Sequence, residues 1–208
     1  MLIQDRSAQK RKLLLSLATK RAKPGSGTAL AFLQQRTWSF PVSSLQLILH
    51  SAPFVVIGGV ATRLYMPERM TLDLDILVKT SDRALIYQDL EKANGKKISD
   101  LSIAGSRWQL ADETLLKVLE ADDDWVEIAL AQPNYSPDRL PIIALPYLVL
   151  MKLSAGRTQD LADISRMLGL ATEPDLGAVK AVISRYLPTA QEDLDSLIML
   201  GKLEMLES

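Results

Sequence analysis

The chain has 208 residues, 48% hydrophobic and 24% charged, with a formal net charge of -1 at pH 7; this is the balance of a soluble protein that buries a core in one domain or one and a half. It has no cysteine and a single histidine, His50, which excludes disulfides, thiolate zinc sites, a cysteine nucleophile and a histidine-rich metal site. No apolar run reaches the roughly 18 residues that span a membrane, and the apolar patch Leu13–Ala18, followed by Lys20 and Arg21, is too short for a secretory core, so the chain reads as cytoplasmic with no membrane partner.

The charge is unevenly placed. Residues 1–40 carry eight basic side chains against Asp5 alone, leaving 16 basic and 24 acidic residues downstream. A basic arm on an acidic body suits the phosphates of RNA or DNA. It equally suits a solvated helix face packed on that body, and residues 1–23 carry no aromatic side chain to stack bases. A helix is predicted over 3–20, where Leu13, Leu14, Leu17 and Ala18 share a stripe. Pro24-Gly25-Ser26-Gly27 breaks it. Further short helices are expected over 28–35 and 41–49, and His50 then sits at a helix C-terminus, an ordinary place for a histidine.

The next stretch organises the chain. Phe54-Val55-Val56-Ile57 is a short apolar strand, Gly58-Gly59 leads into a helix over 60–65, and Pro67 stops it. A second strand carries Asp73-Leu74-Asp75-Ile76-Leu77-Val78. Side chains alternate along a strand, so Asp73 and Asp75 share a face while Leu74 and Ile76 share the other. Two carboxylates so placed either face solvent or hold a hard cation, since Mg²⁺ takes oxygen ligands, commonly one or two carboxylates with phosphate oxygens. Gly58 and Gly59 either make a tight turn or bring bare backbone N–H groups up to a phosphate.

Downstream, Ser81-Asp82 is expected to cap a helix to Ala93, which Asn94-Gly95 ends. Strands are expected over 106–110, 115–119 and 125–131, with Asp122-Asp123-Asp124 as a solvated hairpin turn between the last two. Glu127 would then lie inside an apolar strand, where a carboxylate is expensive unless it meets solvent or a cation. From Pro141 one more strand and then only helices are expected, over 146–155, 159–168, 174–186 and 191–207. Strands mixed with helices and then helices alone predict an α+β fold, divided into a basic N-terminal helical arm (1–40), a core (41–145) and a C-terminal helical domain (146–208).

Gly58-Gly59 followed by Arg69-x-Thr71-x-Asp73-x-Asp75 resembles the nucleotidyltransferase superfamily with the DNA polymerase beta-like fold, and in it the small bacterial nucleotidyltransferases related to type IV abortive-infection toxins. A second match lies further on, where Lys152 and Arg157 precede Asp160-Leu161-Ala162-Asp163. The resemblance covers roughly residues 44–169. It implies a polymerase beta-like sheet with flanking helices followed by a helical bundle. It also implies two Mg²⁺ ions held by Asp73, Asp75 and a third carboxylate on a neighbouring strand, for which Glu127 is the candidate, although the family mostly has Asp there. By the same resemblance Gly58, Gly59, Arg69 and Thr71 would hold a nucleoside triphosphate, Lys152 would contact its phosphates and Asp160 would position it. Arg157 adds a guanidinium suited to phosphate oxygens, and Arg63 is a further candidate. The implied activity is transfer of a nucleoside monophosphate to a hydroxyl of RNA or protein, with a toxin role and an antitoxin protein as partner. The alternative is an inactive module of the same fold that binds a nucleotide or a protein.

Overall fold

The computed structural model describes residues 2–22, 45–67, 71 and 73–205; Arg69 and the helix expected over 28–35 lie outside them. Contacts divide the described residues into two compact units. One takes those within 37–64 and 68–144; the other takes those within 1–36, 65–67 and 145–208. The α+β expectation holds in its broad form, a mixed sheet with helices.

The sheet unit begins with a one-turn helix α1, Leu45–Ile48, numbered separately from the long N-terminal helix αN, Leu2–Arg21. Strand β1 (Val55–Ile57) leads directly into the short helix α2 (Gly58–Thr62). Strand β2 (Leu74–Lys79) follows, then helix α3 (Arg83–Lys92) and strands β3 (Lys96–Asp100), β4 (Gly105–Gln109) and β5 (Leu115–Ala121). Helix α4 (Asp124–Ala131) and the short strands β6 (Asn134–Tyr135) and β7 (Pro141–Ile142) complete the unit. The strand order is β3-β4-β5-β2-β1-β7-β6. β2 runs antiparallel to β1 and parallel to β5.

One face of this sheet is a closed core. Leu74, Ile76, Leu116, Val118 and Trp108 are buried on it, and α3 covers it with Ile86 and Leu90, which share one side of a helix because they are four apart. The Tyr87 ring meets Trp108 edge-on at 5.1 Å, and its hydroxyl donates to Glu120 at 2.7 Å. Burial and that bond push the Tyr87 phenol up to about 12, so it stays a donor. Asp89 on α3 ties down the loop before β1: it accepts from the backbone N–H groups of His50 (3.0 Å) and Ser51 (2.8 Å) and from the Ser51 hydroxyl (2.8 Å).

The expected strand over 125–131 is the helix α4. Its register explains the difference: Val126 and Ala129, three apart, are buried together, which is helical periodicity, and Asp124 and Glu127 stand in the first turn, where the helix dipole favours acids. The triple aspartate is accordingly not a hairpin turn; Asp123 is the N-cap residue of α4. Strand β3 was not expected, because all five of its residues are exposed and lack the apolar alternation by which strands are read.

In the helical unit, α5 (Leu145–Ala155), α6 (Thr158–Gly169), α7 (Glu173–Tyr186) and α8 (Gln191–Met205) follow the predicted boundaries closely. α7 starts on a capping box of Thr172 and Asp175. α6 and α8 approach backbone to backbone: a Cβ on Gly169 would lie 2.5 Å from the Gly201 carbonyl oxygen. The N-terminal helix joins this unit through Arg11, buried to 3% exposure, which donates to Asp193 at 2.8 Å and to the Leu153 carbonyl at 3.1 Å. At least this basic residue of the arm is therefore a packing element. Among the described residues no helix is long and apolar enough to cross a membrane.

Burial alone would raise the Asp89 carboxyl, but the three donors from His50 and Ser51 outweigh it and hold the group below its ordinary value. Its contribution to stability is present above the unfolded value, near pH 4, and is lost as pH falls through the lowered folded value. Melting curves between pH 2 and 6 should show an acid limb that is shallower in Asp89→Asn, and the variant should be about 1–3 kcal/mol less stable near neutral pH.

Candidate active site

Strand pairing fixes the site. Residues directly opposite one another in a sheet share a face, and the register reads Ile57, Asp75, Lys117, Arg107 across β1, β2, β5 and β4. This row lies on the face away from α3. Asp73, two residues before Asp75, faces the same way. The side chains of Asp73, Asp75 and Lys117 are 38%, 19% and 24% exposed, and Arg107 is exposed, so this part of the face is accessible, while Ile57 and Leu77 on the same face are buried. The ammonium of Lys117 is ion-paired with Asp73 and lies 3.8 Å from the nearer Asp75 oxygen. It is the shared counter-ion of the two carboxylates.

Gly58 has a function that its sequence context does not show. Its φ is +68°, in the region that residues with a Cβ rarely adopt. A Cβ there would overlap the Asp75 carboxylate, with Cγ only 3.1 Å away. The glycine therefore makes room for Asp75. Helix α2 is five residues long, so little dipole stands behind the Gly58-Gly59 turn. Gly59 is buried. Thr71 donates weakly to the Asp73 carbonyl at 3.4 Å, bracing the start of β2. Arg63 is buried at 8% exposure.

Glu127 does not take the place expected of it. It lies on α4 rather than on a strand, its side chain is 78% exposed, and it meets Lys79 at 3.3 Å. Lys79 is four residues beyond Asp75, about 13 Å along the strand. The strands flanking β2 offer Asp75 an isoleucine on one side and a lysine on the other. The acid on β5, Glu120, points to the opposite face, where Tyr87 holds it. Among the described residues no group of three or more acids or other ligands is placed to hold a metal ion. A three-carboxylate site for two Mg²⁺ ions does not fit these residues. At about 4 Å and an effective dielectric near 20, each pair of unit charges interacts by roughly 4 kcal/mol, so the Lys117 ammonium cancels about half of the attraction that the two carboxylates would offer a divalent ion there.

Lys152, Arg157 and Asp160 come together in the helical unit. The Lys152 ammonium donates to Asp160 at 2.9 Å and to Asp163 at 2.8 Å, and all three side chains are at most 5% exposed. Arg157 adds bonds of 2.6 and 3.3 Å to Asp160, and Gln159 donates to Asp163 at 3.0 Å. The cluster clasps α5 to α6. Arg157, with 75% of its side chain exposed, is the open member.

Sequence reasoning missed Lys117 and Arg107. The signal was present: Lys117 stands between Leu116 and Val118, a charge inside an apolar strand, which is the argument that singled out Glu127.

No protein-family model matches the chain, and neither does any curated protein. Among solved structures it is similar to the crystal structure of ANT(2'')-Ia in complex with adenylyl-2''-tobramycin, at 15% identity and TM-score 0.41 over 73% of this chain and 87% of that one. It is also similar to the crystal structure of the Cid1 poly(U) polymerase, at 13% identity and TM-score 0.29 over 77% of this chain and 44% of that one. Similarity at this level fixes neither a family nor an activity.

Substitutions at the two clusters check the geometry. Gly58→Ala should cost more than about 1 kcal/mol from backbone strain, and part of that cost should vanish in an Asp75→Gly background, a coupling of about 0.5–3 kcal/mol in a double-mutant cycle. Lys152→Met leaves two carboxylates buried without their cation and should cost about 3–5 kcal/mol in urea denaturation, whereas Arg157→Ala should cost no more than about 1 kcal/mol.

Proposed function

We propose that the protein binds a nucleoside triphosphate on the open sheet face at Asp73, Asp75 and Lys117, and transfers its nucleotidyl group to a hydroxyl of an RNA or protein acceptor. The observation that carries this reading is the carboxylate pair on β2, held beside a glycine that makes room for it and across from basic residues on β5 and β4. A binding surface with both signs of charge suits the two partners of such a reaction. Lys117 and Arg107 offset the charge of the phosphates. Asp73, the more exposed carboxylate, would accept the proton of the attacking hydroxyl as the hydroxyl oxygen bonds to the α-phosphorus and pyrophosphate leaves. Little else is required of side chains in phosphoryl chemistry, since positioning and charge do most of the work.

Arg69, Thr71, Lys152, Arg157 and Asp160 enter this reading from the resemblance; among the last three, Arg157 has the most exposed side chain. Mg²⁺, a toxin role and an antitoxin partner likewise rest on the resemblance. A second reading, a module that binds a nucleotide without turnover, is favoured by one observation: a lysine occupies the strand position opposite Asp75.

Incubation with each labelled nucleoside triphosphate, bulk RNA and bulk protein separates the two. Label transferred to either acceptor, and reduced about 100-fold or more in Asp73→Asn and Asp75→Asn, supports the enzyme. Bound nucleotide with no labelled acceptor leaves the module.

A further inference from the structure

We propose that Lys117 is the resident cation of this site: it fills the place between Asp73 and Asp75 where a divalent ion would otherwise sit, so the site takes a nucleoside triphosphate without requiring a metal ion. The inference rests on the nucleotide reading for its ligand but not for its electrostatics. Two carboxylates on one strand face are a ready site for Mg²⁺, which often makes do with one or two of them. Here one ammonium already bridges both, paired with Asp73 and 3.8 Å from Asp75.

Two features keep it there. β5 runs parallel to β2 over six paired positions, so the Lys117 backbone is fixed opposite Asp75. Gly58 backs the Asp75 carboxylate from the other side, so that carboxylate is held in place. The lysine side chain is 24% exposed, so its ammonium has room to turn from the carboxylates toward an arriving phosphate. Arg107, in register with Lys117 on β4 and exposed, extends the positive row outward from it. The phosphates would thus be met by two protein cations, while the carboxylates face the acceptor. The lysine that neutralises the acids in the empty site would neutralise the phosphates in the filled one.

The test uses the full chain and the variants Lys117→Gln and Lys117→Met, the second keeping the apolar stem of the side chain. Mg²⁺ alone, and then Mn²⁺ alone, is titrated while the melting temperature is followed. The wild type should show no shift. Both variants should melt lower without metal, because Asp73 and Asp75 then repel, and should regain stability as metal is added. A wild-type shift equal to that of the variants overturns the proposal, as does the absence of any shift in both variants. Nucleotide affinity is measured in parallel with EDTA or with Mg²⁺. The wild type should bind with similar affinity in both. The variants should bind at least about 10-fold more weakly in EDTA, and Mg²⁺ should restore them. Wild-type binding that needs Mg²⁺ overturns the proposal. If no nucleoside triphosphate binds under any condition, the nucleotide reading fails, and the metal titration still decides the role of Lys117.

Discussion

Two carboxylates two residues apart on one strand face repel unless solvent or a cation offsets their charge, and the ion pair that does so in the empty site sets the requirements on everything near it. Their cation must come from a strand in register with β2, which β5 supplies by pairing Lys117 with Asp75. The turn after β1 must be free of a side chain, because Ile57 pairs with Asp75 and the next residue comes against its carboxylate; hence Gly58 with its positive φ. The opposite face must be sealed, since β2 has to stay in register for the acids to stay paired. α3, Trp108 and the buried leucines and isoleucines of β2 and β5 do that. Asp89 then fixes α3 to the loop that delivers β1.

Much of this was legible. The strand–Gly-Gly–helix–strand order and the shared face of Asp73 and Asp75 follow from a period of two and from glycine at a turn, and both are local. The helices after residue 145 were legible for the same reason, each bounded by proline, glycine or a cap. What the sequence concealed depends on pairing or on competing periods. Trp125 to Ala131 contains apolar residues dense enough to satisfy a strand or a helix. The burial of Val126 and Ala129 decides for the helix, and no single-sequence pattern could weigh that tertiary preference. With that strand gone, the third carboxylate goes too. Lys117 carried a signal, a charge between two apolar residues, but its role as the partner of Asp75 shows only once the cross-strand neighbour is known. β3 was hidden because an exposed strand pairing on one edge of β4 carries no hydrophobic signal.

The second motif illustrates a different limit. Lys152, Arg157, Asp160 and Asp163 are spaced as the resemblance requires, and the structure does gather them. Spacing along two successive helices brings side chains together whether they serve a ligand or each other. Here the three buried members pair with one another, and Gln159 and Arg157 take the remaining carboxylate oxygens. A buried ion pair of this kind is costly to break and adds little over an apolar alternative of the same shape. Its contribution is a fixed geometry between α5 and α6.

The contrast between the chain's two lysine-centred clusters bears on where ligand chemistry takes place. Each lysine bridges two aspartates. Lys152 is 5% exposed and its partners at most 3%; removing its ammonium from them would strand charges in a medium that cannot solvate them. Lys117 is 24% exposed and its partners 19% and 38%, so water can solvate the carboxylates while the ammonium turns to pair with an anion. An ion pair can serve as a binding site only if exchanging partners costs less than the ligand returns. By that criterion a charged ligand competes more readily at the sheet cluster than at the buried part of the helical one, which fastens α5 to α6. Similar motifs in sequence thus acquire different physical roles from burial alone, and the open one coincides with the carboxylate pair from which the functional reading began.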